Sequence, residues 1–134
     1  MLKQISIFAE NTKGAMRSIT SVLAKNDINI IALVTNDSAE FGIVRMLVSD
    51  SDKAFSALQN AGYLVHSDSV IAVEIADGPG SLDNLLEAIT DSNINVDYLY
   101  MSYNRDHATP IAVIKASSAY EVEACIRSRG FEAM

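Results

Sequence analysis

The chain repeats itself. With residues 5–34 laid over 71–100 at an offset of 66, Ile5, Gly14, Ile28, Asn29 and Leu33 coincide with Ile71, Gly80, Ile94, Asn95 and Leu99. The apolar positions between them agree as well, since Ile7 meets Val73, Met16 meets Leu82, Ile19 meets Leu85, Leu23 meets Ile89 and Ile30 meets Val96. Further on the offset becomes 68, and Leu58, Gly62 and Tyr63 fall on Ile126, Gly130 and Phe131, so one loop of the second copy has gained two residues. A register held through two amphipathic stretches and their glycines is the mark of a duplicated module, and function is to be sought in what the copies share. The boundary expected from the repeat gives residues 1–68 and 69–134. Each unit is near the lower size limit for an independent core.

Hydrophobic residues make up 49% of the chain, too many for a disordered polymer, and no apolar run approaches the ~20 residues that cross a bilayer. The first residues carry Lys3, Glu10 and Asn11 and lack both a long apolar segment and a small-residue cleavage site, which leads to the expectation of a cytoplasmic protein. Cys125 is the only cysteine, so neither an intramolecular disulfide nor a cysteine metal cluster can form; its place on the apolar side of a helix suits a small buried thiol. Of the net charge of −7, residues 1–68 hold −1 (6 basic, 7 acidic) and residues 69–134 hold −6 (4 basic, 10 acidic). An acidic second half without a basic stripe disfavours nucleic acid and anionic membranes as partners.

Residues 2–9 alternate as a strand, NTKG breaks the pattern, and Met16, Ile19, Val22 and Leu23 have helical spacing that ends near Asn26 and Asp27. Residues 28–34 and 42–48 are β-branched strands around NDSAE, a hairpin turn, and Asp50 or Ser51 caps a second helix that stops at Gly62. Tyr63–Val65 begin a fourth strand. The same order returns in residues 70–76, a helix through Leu82, Leu85, Leu86 and Ile89, strands in NVDYLYM and PIAVIKA, and a helix with Val122, Cys125 and Ile126, followed by a short or frayed last strand. HSDS between the copies is too short for a flexible linker. Two βαββαβ units make an α+β protein of ferredoxin-like type, each an antiparallel sheet covered by helices on one face. In INIIALV both alternating sets are apolar, so another copy or another chain is expected against the open face.

Two features carry chemistry. DGPGSL, the run Asp77, Gly78, Pro79, Gly80, Ser81 and Leu82, sits between a strand and a helix, where unpaired N–H groups and the helix dipole favour a carboxylate; in the first copy Asn11, Thr12, Lys13, Gly14, Ala15 and Met16 take its place. The plainer account is a sharp strand-to-helix turn. Asn29 with Ile30, and Asn95 with Val96, open the next strand, and each carboxamide offers both a donor and an acceptor to a zwitterion. Each asparagine is expected near its glycine turn, at the same end of the sheet. The plainer account here is a turn residue, which recurrence at one spacing weakens.

The strand, the D/N-x-P-G-x-L turn, the helix and [VI]-N-[IV] opening the next strand resemble the ACT domain family of small amino-acid-sensing modules, twice over almost the whole chain. The resemblance implies a regulatory protein without catalytic residues, metal or cofactor. It implies side-by-side pairing as a homodimer, a free amino acid held at inter-domain or inter-subunit sites, and an effect on a partner metabolic enzyme or on the protein's own assembly. In serine-binding members the loop and second-strand asparagines touch the ligand, which points to Asn11 with Asn29 as the favoured pair and to Asp77 with Asn95 as a second site or a relic. Lys13 in place of proline either loosens the first loop or adds a cation near a ligand carboxylate, whereas Asp77 in place of an amide repels a carboxylate and can hold an ammonium.

Other residues favour blander roles. Tyr98 and Tyr100 share a strand face suited to sheet packing, His66 and His107 read as surface residues, and the acids at the second-helix starts complement helix dipoles. The third-strand runs lack the aromatic pair of RNA-binding modules, no arginine-bearing phosphate loop of the acylphosphatase kind follows either first strand, and a CxxC copper site is absent. The alternative to a sensor is a dimerisation or protein-interaction module with vestigial loops.

Overall fold

The computed structural model describes residues 1–35 and 41–134, so the expected hairpin turn NDSAE lies outside the described residues. Two compact units emerge, Lys3–Asp68 and Ser69–Met134, the latter joined by Met1 and Leu2.

In the first unit the order is β1 (Leu2–Glu10), α1 (Ala15–Lys25), β2 (Ile30–Thr35), β3 (Phe41–Val48), α2 (Ser51–Asn60) and the start of β4 (Leu64–Glu74). β3 lies antiparallel between β1 and β2, with Ile5 opposite Met46, Ile7 opposite Val44 and Leu33 opposite Met46. Alternation sends Ile5, Ile7, Val44 and Met46 to the face met by Ile19 and Leu23 of α1 and Ala54 and Leu58 of α2, all buried. Asp50 caps α2 by accepting a hydrogen bond from the Lys53 amide at 3.1 Å. Asp50→Ala is expected to cost about 1 kcal/mol and to lower the melting temperature followed by circular dichroism.

The second unit repeats the plan with the rest of β4, α3 (Ser81–Asp91), β5 (Val96–Asn104), β6 (Thr109–Ala116), α4 (Ala119–Ser128) and β7 (Glu132–Ala133). β6 pairs antiparallel with β4 and β5, and the two-residue β7 pairs with β4. Ile71, Val73, Leu85, Ile89, Ile114, Val122 and Ile126 form its core, on which Met1 also packs. The Met1 ammonium lies 3.4 Å from the Glu123 carboxylate. Cys125, half-buried on α4, donates its thiol to the Ala88 carbonyl of α3 at 3.2 Å.

The fold is the expected pair of ferredoxin-like units, with one difference. The strands expected at 63–65 and 70–76 are one continuous β4, because no glycine or proline interrupts residues 64–74 and the polar side chains of His66, Ser67 and Ser69 tolerate a strand's exposed positions. In the single chain β2 is half open, with Ile31 50% and Leu33 39% exposed.

Candidate functional site

Each first strand ends in a bend that reverses the chain into a helix through a left-handed glycine, Gly14 at φ 83° and Gly80 at φ 86°. The reversals are built alike. The amide of Ala15 donates to Thr12 and that of Ser81 to Gly78, and the helices begin with Ser18 donating to Gly14 and Asn84 to Gly80. Neither helix has a side-chain cap, so the first-turn amides lack the acceptor that a capping side chain supplies. A Cβ at Gly14 or Gly80 would meet nothing within 4 Å, so backbone conformation rather than crowding demands glycine. Gly80→Ala is expected to cost about 1–2 kcal/mol in chemical denaturation.

Beside the first bend a cavity of about 280 Å³ is lined by Glu10, Asn11, Thr12, Ala15 and Met16 on one side and by Thr35, Gly42, Ile43 and Val44 on the other. It combines first-turn backbone, an amide, a hydroxyl and a carboxylate over an apolar floor, groups that can grip both ends of a small zwitterion. Lys13 is exposed in the same bend, as are Asp77, Gly78, Pro79 and Gly80 in the second, where Ser81 and Leu82 are half-buried.

Asn29 and Ile30 lie elsewhere, in an open groove of about 460 Å³ beside α1 that Arg17, Thr20, Ser21 and Ala24 complete. Asn95 and Val96 line a matching groove of about 460 Å³ with Leu86, Ile89 and Thr90. The expectation that each asparagine neighbours its own glycine turn is therefore corrected. The chain climbs β1, descends α1 and enters β2 from below, so Asn11 and Asn29 stand at opposite ends of an 11-residue helix, about 16 Å long. Neither unit brings its own loop and second-strand asparagine together.

Two repeated features around those asparagines have no clear mark in the sequence. Asp27 and Asn93 hold left-handed backbone at φ 56° and 59°, just before each asparagine, and β2 and β5 each carry a bulge just after it, at Ile31 and at Asp97. Asn and Asp tolerate that conformation best, which was the available signal for the first of these. Asn29 is fixed through its backbone, its amide donating to the Ser49 hydroxyl at 3.0 Å and its carbonyl accepting from the Ser49 amide at 2.9 Å, which leaves its carboxamide exposed.

A polar cluster closes the end of β4 in the second unit. The Glu74 carboxylate accepts from Asn104 at 2.6 Å and lies 2.8 Å from His107 Nδ1, while Asn104 Oδ1 accepts from the amides of Asp106 and His107. His107, exposed as a surface residue, thus has a structural partner that its sequence neighbours do not supply. Burial pushes the Glu74 carboxyl up, but the hydrogen bonds from His107 and Asn104 and the charge of His107 outweigh it and hold its pKa below the usual 4.5. A depressed carboxyl stabilises the fold above the unfolded value and loses that contribution as pH falls through the folded value. Glu74→Gln is expected to lower the melting temperature at neutral pH and to flatten its decline below about pH 4.5, so that variant and wild type converge in acid.

Among the described residues no three His, Cys, Asp or Glu side chains gather as a metal site, and no helix is long and apolar enough to cross a membrane. The model of the ACT domain pair matches residues 1–126. The chain belongs to the ACT domain family. A protein of solved structure from Bacteroides thetaiotaomicron is 32% identical, with a TM-score of 0.92 over 99% of this chain and 91% of that one. Regulatory subunits of aspartate kinase share the fold at 15% identity: the Thermus thermophilus subunit has a TM-score of 0.68 over 94% of this chain and 91% of its own, and the Thermus flavus subunit 0.65 over 94% and 90%. No curated protein matches the chain. In ACT terms, the glycine bends and the grooves at Asn29 and Asn95 are the two ends of one module, present twice.

Proposed function

We propose that this ACT domain pair is a non-catalytic regulatory protein that binds a free amino acid at a site completed by a second copy of the chain and passes the signal to a partner enzyme or to its own assembly. The observation that carries this reading is the separation of the two recognition elements. In the first unit a loop that suits a carboxylate and an asparagine that suits both ends of a zwitterion sit at opposite ends, and the second unit separates its Asp77 loop from Asn95 in the same way. Side-by-side antiparallel pairing is the arrangement that sets the loop of one copy against the asparagine of another. Residues 1–68 and 69–134 then act as two ACT modules, with Asn11, Thr12, Lys13 and the first turn of α1 on the loop side and Asn29 or Asn95 on the strand side. Binding across such a junction favours the assembled state, which is how a ligand without chemistry of its own can regulate.

Thermal-shift screening of the common amino acids on the full chain tests the reading. One of them is expected to raise the melting temperature in a saturable manner, by about 2.7 kcal/mol of stabilisation at one hundred times its dissociation constant. A flat response to all of them favours the interaction module with vestigial loops.

A further inference from the structure

The first helix of each copy and the bend before it carry opposite charge. Residues 11–26 hold Lys13, Arg17 and Lys25 with no Asp or Glu, whereas the equivalent residues 77–92 hold Asp77, Asp83, Glu87 and Asp91 with no Lys or Arg. The reversal reaches the grooves at Asn29 and Asn95. At the shared offset of 66 Arg17 is matched by Asp83, Thr20 by Leu86 and Ser21 by Glu87, so α1 lines its groove with a cation and two hydroxyls where α3 carries two carboxylates and a leucine. Arg17 is exposed and makes no ion pair among the described residues. The Thr20 hydroxyl is taken, since it donates to the Arg17 carbonyl at 3.1 Å. The half-buried Ser21 hydroxyl has no hydrogen bond among the described residues, and no acidic side chain lines the groove.

We propose that the groove at Asn29 selects an amino acid whose side chain ends in a carboxylate, with Arg17 as the residue that sets this choice. On the reading that the chain binds a free amino acid, on which this rests, the ligand class is thereby narrowed to acidic side chains. Asn29 meets the amino and carboxylate groups that every amino acid has, and Arg17 with Ser21 meets the group that differs. A guanidinium offers a planar fork of N–H donors that matches a carboxylate with two parallel hydrogen bonds, roughly twice as strong as neutral ones, and a serine hydroxyl adds a third donor. The amide of the same ligand has the same shape and half of the acceptors, without the charge. Where α3 places Asp83 and Glu87, an acidic side chain meets repulsion instead, so the groove at Asn95 shares the asparagine and rejects this ligand.

Calorimetric titration of the full chain with aspartate against asparagine, and with glutamate against glutamine, tests this with charge as the main difference within each pair. In at least one pair the acid is expected to bind at least about tenfold tighter than its amide, by a ratio that shrinks as salt rises. Arg17→Gln is expected to bring the ratio to about one. Ser21→Glu, which copies the second unit, is expected to push it below one, whereas Lys25→Gln, on the same helix but outside the groove lining, keeps most of it. None of the three positions belongs to the buried core, and circular dichroism melting of each variant confirms that it is folded. Amides that bind as tightly as their acids would give Arg17 to the carboxylate common to all amino acids. That result, a ratio that survives Arg17→Gln, one lost equally in Lys25→Gln, or binding confined to other amino acids overturns the proposal and leaves the amino-acid reading standing. Only the absence of binding by every amino acid removes that reading, and the proposal with it.

Discussion

Truncation of Leu58 to alanine is expected to lower the free energy of unfolding by about 2–5 kcal/mol, the range for removing a buried leucine from a core that cannot collapse around the gap. Leu58 is fully buried on α2 against Ile5, Ile7, Ile19, Leu23 and Met46. Its counterpart in the repeat, Ile126, holds the same place on α4, so Ile126→Ala is expected to cost a similar amount. At this chain length such a loss lowers the melting temperature by roughly 10 °C, which calorimetric scanning would record. Leu64→Ala serves as the contrast. That residue is 61% exposed on β4, and its truncation is expected to stay within about 0.5 kcal/mol of wild type. Units this small have little core to spare, which is why a single buried methyl cluster weighs so heavily.

The second large effect concerns the ligand. A carboxamide that hydrogen-bonds a charged amino or carboxylate group contributes about 1.5–3 kcal/mol, so removal of Asn11 is expected to weaken amino-acid binding by roughly tenfold to more than one hundredfold in calorimetric titration. The strand asparagines divide the outcome. If a first unit meets a second unit, Asn95→Ala weakens the Asn11 site and Asn29→Ala leaves it unchanged; like-with-like pairing gives the reverse. Since the Asn29 carboxamide is exposed and its backbone is anchored to Ser49, Asn29→Ala is expected to leave the melting temperature of the free protein within about 0.5 kcal/mol of wild type.

The repeat made most of the fold legible. Period-2 and period-3.6 apolar patterns in residues 2–9, 16–23 and 70–76 correspond to β1, α1 and β4, and glycine at 14, 62, 80 and 130 marks left-handed turns throughout. What escaped was three-dimensional direction. Spacing of 15 residues between Gly14 and Asn29 is identical in both copies, yet it says nothing of which end of the sheet each occupies until the helix between them is laid down as a rod of fixed rise. The bulges at Ile31 and Asp97 left no trace because those two residues share no chemistry, and backbone pairing rather than side-chain type creates them. The Glu74–His107 contact joins residues 33 apart, beyond the reach of local pattern. Continuity of β4 was hidden by polar residues that look like a junction and behave as exposed strand positions.

The central claim, an amino-acid site that one chain cannot complete alone, is tested most directly by calorimetric titration repeated over a range of protein concentrations. Affinity that tightens as the chain passes from mostly free to mostly associated is the result this account predicts, because a ligand bound across the junction and the association that builds the junction stabilise one another. An affinity that stays constant from dilute to concentrated protein would place the whole site within one copy, and the absence of any binding heat for all common amino acids would remove the sensor altogether.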